Sequence, residues 1–371
     1  MEQLNDWYQS LHRHPERSRK VYRTAEKLST WLTEIGLQVH RIDETAVVGI
    51  LKGGKEGKTV ALRADMDALP ITELTGLPYA SDTPGVMHAC GHDFHMSAAL
   101  GAAKLLKAKQ AELSGTVQFI FQPDEEEDGY AAILSAHEIM KDTVAVFGAH
   151  VDPTLPKGTA GFKSGVFYAS AAKFDIHFQG KSCHGANPQD GIDALAAAAE
   201  TVPRLLSLRE TGEHPAMLSV GTFASGTARN IIADTAVLTG ILRTADPRKR
   251  DEVHLKMKAI LDDIEAIYGV NIRLDFVAGY IGVTNPNDTT AFAKAVAEDL
   301  YGKEHVINIP APLMTTEDFG EYLTGREGCF YHIGVGGNEG LHSSRFAPDP
   351  SLIPKAAALH AAVLSKYLEE K

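Results

Sequence analysis

The alternation of short apolar runs with helical stretches constrains the fold of this chain more than any other feature. Four runs rich in Val, Ile and Phe lie at residues 47–51, 59–63, 117–121 and 144–148. Stretches with the apolar spacing of helices, such as residues 97–109, separate them. Strands that are apolar throughout and alternate with helices are typical of a sheet covered on both faces. The pattern therefore predicts an α/β domain.

The middle of the chain follows a different pattern. From about residue 171, the predicted elements run in the order β-α-β-β-α-β, which is the order of a ferredoxin-like unit. The α/β pattern returns after Asn285-Pro286. We therefore predict a discontinuous α/β domain formed by residues 1–170 and 285–371, with a smaller α+β domain inserted at 171–284. The length of 371 residues suits two domains.

Charge and cysteine content restrict the partners and the compartment. Asp and Glu total 48 against 36 Lys and Arg, and no basic run could neutralise a phosphate backbone, so we expect no nucleic-acid partner. Three scattered cysteines fit a reducing compartment better than a disulfide framework. The first residues lack the pattern of a signal peptide, and no apolar run reaches about 18 residues. We expect a cytoplasmic protein with no membrane partner.

Titratable and metal-capable side chains concentrate where the predicted strands end. The clusters are Arg63-Ala64-Asp65-Met66-Asp67, the segment 88–95, the acidic run 124–128 and Gly148-Ala149-His150-Val151-Asp152, with a further histidine at 342. Open α/β sheets bind ligands beyond the carboxyl ends of their strands. Cys, His and Glu are ligands that Zn²⁺ and related divalent ions prefer. Spacing alone leaves the choice open among His88, Cys90, His92 and His95.

Five ordered motifs carry a resemblance to a known family. They are His-Ala-Cys-Gly-His-Asp, Phe-Gln-Pro-x-Glu-Glu, Gly-x-His-Val-Asp-Pro, Asn-Ile-Ile-Ala-Asp and Glu-Asp-Phe-Gly. The chain resembles the dinuclear metallo-aminoacylase/carboxypeptidase family, in the branch with indole-acetyl-amino-acid hydrolases, hippurate hydrolases and N-acetyl-diaminopimelate deacetylases. The resemblance extends nearly from end to end. It implies a metallopeptidase-like catalytic domain with a mixed sheet, and it makes the inserted domain a lid and dimerisation domain.

The resemblance also implies a metal site and a catalytic base. The implied metal ligands are Cys90, His92, Glu126, His150 and His342. They would hold two divalent ions per subunit, Zn²⁺ or Mn²⁺, although Co²⁺ and Ni²⁺ also suit such ligands. Glu125 would act as general acid/base towards a metal-activated water. Asp65 would orient a ligand.

The inserted domain would complete the site. In the family pattern His184 would polarise the scissile carbonyl, and Asn230 and Arg243 would bind the substrate's carboxylate or support that contact. The family's histidine can come from the neighbouring subunit, so we expect a homodimer or homotetramer formed through this domain. The segment Ser182-Cys183-His184-Gly185 departs from the family's usual Gly-Gly-His-Ala, which weakens the assignment of His184 relative to that of Cys90.

The predicted function is that of a metal-dependent amidohydrolase that cleaves the amide bond of an N-acyl amino acid. A dipeptidase or carboxypeptidase on the same scaffold, acting on short peptides, is the alternative. A non-catalytic binding protein that retains the fold is a different class of answer, against which the intact Glu125-Glu126 pair argues. Asp124 stands where the family usually has Ala, and Glu127-Asp128 replace a Gly-rich stretch. These acids either select a cationic substrate group or only face solvent.

Overall fold

A computed structural model describes residues 2–212 and 214–370. The chain divides into two compact units. The first unit holds the residues up to Gly165, Asn285–Pro310 and the residues from Glu321 onward, and the second holds Val166–Thr284 and Ala311–Gly320.

The helices and strands are numbered in chain order. The helices are α1 (Glu2–Arg13), α2 (Tyr22–Ile35), α3 (His92–Ala108), α4 (Ala131–Ala136), α5 (Ala194–Leu206), α6 (Pro247–Tyr268), α7 (Asn287–Tyr301), α8 (Gly320–Leu323) and α9 (Ile353–Glu370). The strands are β1 (Gln38–Ile42), β2 (Ala46–Lys52), β3 (Lys55–Asp65), β4 (Ser114–Gln122), β5 (Thr143–Asp152), β6 (Ala160–Phe162), β7 (Gly165–Tyr168), β8 (Ser170–Gln179), β9 (Ala216–Ser225), β10 (Thr235–Thr244), β11 (Asn271–Ala278), β12 (Val283–Asn285), β13 (Val306–Asn308) and β14 (Glu327–Gly334). Among the described residues, no helix is both long and apolar enough to cross a membrane.

The first unit is built on a mixed sheet of eight strands in the order β1-β2-β4-β3-β5-β14-β6-β13. The central neighbours β4, β3, β5 and β14 run parallel, whereas β1, β2 and β4 pair antiparallel. The four apolar runs of the sequence lie within β2, β3, β4 and β5. The predicted α/β class with a mixed sheet is therefore confirmed.

Small residues allow helices α3 and α9 to pack closely against each other. Helix α3 is buried along most of its length and packs against α9. A Cβ at Gly101 would come within 2.7 Å of the Ala357 Cβ, so the two helices approach more closely than a larger side chain would allow. Phe119, Phe147 and Leu359 belong to the same buried core.

The parallel central strands determine where the chemistry can lie. Because β3, β4 and β5 run parallel, their carboxyl ends lie at one edge of the sheet. The residues at and just beyond these ends are Asp65, Pro123 and His150. Three of the four sequence clusters therefore share this edge.

The second unit is an antiparallel sheet with two helices and its own core. Its chain order is β8-α5-β9-β10-α6-β11 and its spatial order is β11-β8-β10-β9, the topology of a ferredoxin-like unit. Along β8, Phe174, Ile176 and Phe178 are buried, while the alternating residues Lys173, Asp175 and Gln179 are exposed. This alternation places one face against α5 and α6.

Candidate metal centre

Asp65 ends strand β3 in a fully buried position. Its Oδ1 lies 2.6 Å from Nδ1 of His95, and its Oδ2 accepts a hydrogen bond of 2.6 Å from Nη1 of Arg63. Burial opposes ionisation, but the imidazoles of His92 and His95 and the guanidinium of Arg63 hold the pKa of Asp65 well below its usual value. Asp65 is therefore a buried carboxylate surrounded by cationic or donor groups.

His95 uses both of its ring nitrogens within the protein. Its Nε2 accepts a hydrogen bond of 2.9 Å from the backbone N–H of Val151. Nδ1 must then carry the ring proton, which it donates to Asp65. His95 is thus excluded from the four ligand candidates of the 88–95 cluster, and it links Asp65 to the backbone beside His150.

Asp67 holds the loop that carries the two catalytic candidates. Its carboxylate accepts hydrogen bonds from the backbone N–H groups of Glu125 and Glu126 at 3.1 Å and from Oγ of Ser18 at 2.7 Å. Its Oδ1 also lies 3.3 Å from Nδ1 of His92. No role was expected for Asp67 from sequence, although a second acid two residues beyond Asp65 was a usable signal.

A glycine turn brings Cys90 and His92 to the start of helix α3. Gly91 has φ 84°, and a Cβ there would come within 2.5 Å of Cγ2 of Val151, so only glycine fits. The Sγ of Cys90 lies 3.4 Å from Nε2 of His150. His150 donates from Nδ1 to the carbonyl of Val151 at 2.8 Å, which leaves the lone pair of Nε2 directed at that sulfur.

Glu126 and His342 complete the cluster from two different loops. Oε1 of Glu126 lies 3.3 Å from Nε2 of His342 and 3.8 Å from Nε2 of His92. The His342 backbone has φ 64°, an uncommon conformation for a residue other than glycine, and its N–H donates to the carbonyl of Ala89 at 2.8 Å. Strained backbone of this kind concentrates at functional sites.

The geometry of these donors fits a divalent metal ion. Ligand bonds of about 2.0–2.3 Å in a tetrahedral site place donor atoms about 3.3–3.8 Å apart. The three donor-atom distances in the cluster fall in this range: 3.4 Å for Cys90–His150, 3.3 Å for Glu126–His342 and 3.8 Å for Glu126–His92. Within the described chain, Nε2 of His92, the ring nitrogen that does not face Asp67, and Oε1 of Glu126 are buried without a hydrogen-bond partner. Buried polar atoms normally have partners, so these residues fit a cation that would satisfy them.

Three overlapping sets of donor atoms make up the cluster. Donor atoms within 4.8 Å of one another are found in the sets Cys90/His92/His150, Cys90/Glu126/His342 and His92/Glu125/Glu126. Burial opposes protonation of His92, yet the carboxylates of Asp65 and Asp67 raise its pKa to about 10. The same excess of negative charge attracts a cation.

Two of the five acids in the run 124–128 are paired with arginines. Asp124 is buried, and its Oδ2 accepts a hydrogen bond of 2.8 Å from Nε of Arg19. The exposed Glu127 pairs with Arg17. Both arginines precede helix α2. Their guanidinium groups offset part of the negative charge that the sequence places here.

In the second unit, the structure brings two of the three expected residues together. His184 and Asn230 are exposed, and Gly185 donates its N–H to the Asn230 carbonyl at 2.8 Å. His184 forms an isolated β-bridge with Ile231, shortly before β10 begins at Thr235. Arg243 lies eight residues along β10 from Thr235, which is about 26 Å along a strand. The inserted unit therefore does not bring Arg243 to His184 and Asn230.

A family model and similar known proteins indicate the same family for this chain. Residues 61–366 match the model of Peptidase family M20/M25/M40. The chain is 36% identical to the N-acetyl-L-cysteine deacetylase of Bacillus subtilis, over 94% of this chain and 84% of that protein. It is 33% identical to thermostable carboxypeptidase 1 of Saccharolobus solfataricus, over 98% of this chain and 96% of that protein.

A solved structure extends the likeness to three dimensions. The Bacillus subtilis YXEP protein, described as a dinuclear metal binding peptidase of the M20 family, is 34% identical, with a TM-score of 0.89 over 100% of this chain and 99% of that one. Together with the metal-capable cluster, these relatives make the chain a metal-dependent hydrolase acting on amide bonds rather than a non-catalytic binding protein. The chain belongs to Peptidase family M20/M25/M40.

Proposed function

We propose that this chain is an N-acyl-amino-acid deacylase with Glu125 as its general acid/base. The observation that carries the proposal is the pair of neighbouring acids whose backbone N–H groups are both held by Asp67. Oε1 of Glu126 faces two imidazoles, and a carboxylate oxygen of Glu125 lies within 4.8 Å of the donor atoms of His92 and Glu126. This arrangement supports the proposal that Glu126 binds metal and that Glu125 moves a proton beside it.

The metal ligands in this proposal are Cys90, His92, Glu126, His150 and His342. Cys90, His92 and Glu126 each belong to more than one of the donor groups, so the groups overlap and together could hold two neighbouring ions. We propose Zn²⁺ or Mn²⁺, with Co²⁺ and Ni²⁺ as workable substitutes. When bound, the ions would supply Lewis-acid polarisation of the amide carbonyl and of the attacking water.

The protein's own groups then have separate tasks. Glu125 takes the proton from the attacking water and delivers it to the leaving amine. Asp67 holds the backbone of Glu125 and Glu126 and lies against Nδ1 of His92. Asp65 acts through His95, which binds the backbone N–H next to His150. Outer contacts of this kind orient metal ligands and commonly alter affinity by about 10–100-fold.

The inserted unit in this proposal is a lid and dimerisation domain. His184 would polarise the scissile carbonyl, and Asn230 beside it would bind the substrate's carboxylate. Because about 26 Å of strand separates Arg243 from these two residues, one small substrate cannot reach both ends of the same inserted unit. We therefore propose that Arg243 serves one active site of a dimer, and that His184 and Asn230 serve the other.

The free edge of the inserted sheet offers a surface for the second copy. Strand β9 is an edge strand of the four-stranded sheet, and Met217 and Phe223 on it are 41% and 45% exposed. An edge strand with unpaired backbone groups readily pairs with another chain. A homodimer through β9 satisfies these groups, and a homotetramer would require a further surface. The cytoplasmic location stays a prediction.

A substrate panel tests the proposed activity. The metal-loaded protein is assayed with N-acetyl and N-aroyl amino acids beside dipeptides and C-terminally free tripeptides, each with Zn²⁺, Mn²⁺ and Co²⁺. We expect the highest kcat/KM on an N-acyl amino acid. The similarity to a carboxypeptidase supports the second candidate, since that relative matches over nearly its whole length. Faster cleavage of unblocked peptides than of any N-acyl amino acid would favour that candidate instead.

A further inference from the structure

Arg19 contacts the loop between β4 and α4 at its beginning and near its end. Its backbone N–H donates to the Pro123 carbonyl at 2.9 Å, and its Nε donates to Oδ2 of Asp124 at 2.8 Å. Its Nη2 donates to the Gly129 carbonyl at 3.2 Å. A single residue therefore bridges the segment that contains Glu125 and Glu126.

Asp124 connects Arg19 to the backbone around Glu125 and Glu126. Its Oδ1 accepts a hydrogen bond of 3.2 Å from the backbone N–H of Glu127. This bond closes a turn around Glu125 and Glu126. The Asp124 side chain is only 1% exposed, so its charge requires compensation, which the guanidinium of Arg19 supplies.

Ser18, the residue before Arg19, contacts the same loop indirectly, through Asp67. Ser18 donates to Asp67 at 2.7 Å, and Asp67 accepts the backbone N–H groups of both acids. Arg19 itself has φ 57°, a conformation that costs energy for any residue except glycine. Contacts on both sides of Arg19 keep it in this conformation.

We propose that Arg19 and Asp124 form a positioning pair that holds the loop of Glu125 and Glu126 in its working geometry. The inference rests on the proposed roles of those two acids. Arg19 contacts the loop backbone and Asp124, so it acts through them and not on the substrate. Small displacements of a catalytic group can cost as much as about 100-fold in rate, so loss of the pair affects kcat more than KM.

The substitutions Arg19→Met, Arg19→Lys and Asp124→Asn test this pair. Arg19→Met keeps the length of the side chain and removes its charge and donors, and we expect kcat to fall about tenfold with KM changed less than about twofold. Arg19→Lys should restore part of the loss. Because the pair acts as a unit, Asp124→Asn should cost much less in the Arg19→Met background than alone. Arg41→Met, which removes an exposed arginine on β1, is the matched control and should behave as wild type.

Cobalt binding provides a readout that does not depend on turnover. Glu126 lies on the same loop, so in Arg19→Met we expect Co²⁺ to bind about tenfold more weakly, with a changed visible spectrum, while Arg41→Met matches wild type. If wild type hydrolyses nothing in the substrate panel, the proposed function fails and the cobalt titration still tests the pair. Wild-type kcat and cobalt affinity in Arg19→Met would overturn the pairing. Should Arg19→Met fail to fold, Arg19→Lys and Asp124→Asn decide by the same two measurements.

Discussion

The Oδ1 atom of Asp67 lies 3.3 Å from Nδ1 of His92, while the same carboxylate accepts the backbone N–H groups of Glu125 and Glu126. One buried side chain thus joins the start of helix α3 to the loop after β4. The carboxylate requires its charge for both tasks, since it faces only donors. Burial opposes its ionisation, yet the contacts with His92 and Ser18 lower the pKa of Asp67.

We predict that Asp67→Asn weakens metal binding by about 10–100-fold and lowers kcat at saturating metal. The amide retains the shape of the side chain but loses the charge, and it cannot accept from every donor around it. Competition titration with a metal-binding dye measures the affinity. Asp128→Asn, at an exposed position of the acidic run, is the control and should bind metal as wild type does.

Glu125→Gln should retain the fold and the metal content but lose turnover by several orders of magnitude, because glutamine cannot take a proton. Metal analysis beside single-turnover kinetics separates these effects. Glu112→Gln, in an exposed turn, controls for loss of an acidic side chain. Near-normal turnover in Glu125→Gln would remove Glu125 from its role.

Mixing inactive variants tests the division of labour between subunits. If each site takes Arg243 from one subunit and His184 from the other, then His184→Ala and Arg243→Ala should complement each other. Random exchange makes half of the dimers mixed, each with one intact site, so activity should recover to about a quarter of wild type. No recovery after subunit exchange would contradict the proposal that the two residues come from different subunits.

We predict that His12 makes the stability of the metal-free protein depend on pH. This buried imidazole lies 2.6 Å from Asp93 and 3.2 Å from Glu73. Although burial opposes protonation, those carboxylates raise the pKa of His12 to about 9. A raised pKa in the folded state adds stability that is complete below about pH 6.5 and is lost as pH rises through 9.

The contribution of His12 to the free energy of unfolding should therefore decline by on the order of 3 kcal/mol between pH 6.5 and 9. Urea unfolding in the presence of a chelator, at a series of pH values, measures the change. In His12→Gln the decline should be much smaller. Equal slopes in wild type and His12→Gln would show that His12 is not the group responsible.

Much of the fold could be predicted from sequence because the signals are local. The apolar runs fall within β2 to β5, and the β-α-β-β-α-β order appears in the inserted unit. Five-residue apolar runs and helical spacing do not depend on distant parts of the chain. The convergence of Asp65, Glu126 and His150 was foreseeable for a related reason, since parallel strands bring their carboxyl ends to one edge. Cys90 and His92 reach the same cluster from the start of helix α3 and not from a strand end.

The remaining features depend on contacts between distant residues. Asp124 was expected either to select a cationic substrate group or to face solvent, whereas it is buried against Arg19, which is 105 positions away. The exclusion of His95 as a ligand follows from the backbone N–H of Val151, which no spacing reveals. Arg243 was grouped with His184 and Asn230 by motif alone, although β10 places it near the far end of a strand of 10 residues.

The most direct test of the account is the hydrolysis of N-acetyl amino acids by the protein before chelation, after chelation and after metal is added back. We predict that removing the metal abolishes activity and that Zn²⁺, Mn²⁺ or Co²⁺ restores it in wild type but not in Glu125→Gln. Full activity in protein shown by metal analysis to be metal-free would contradict the account.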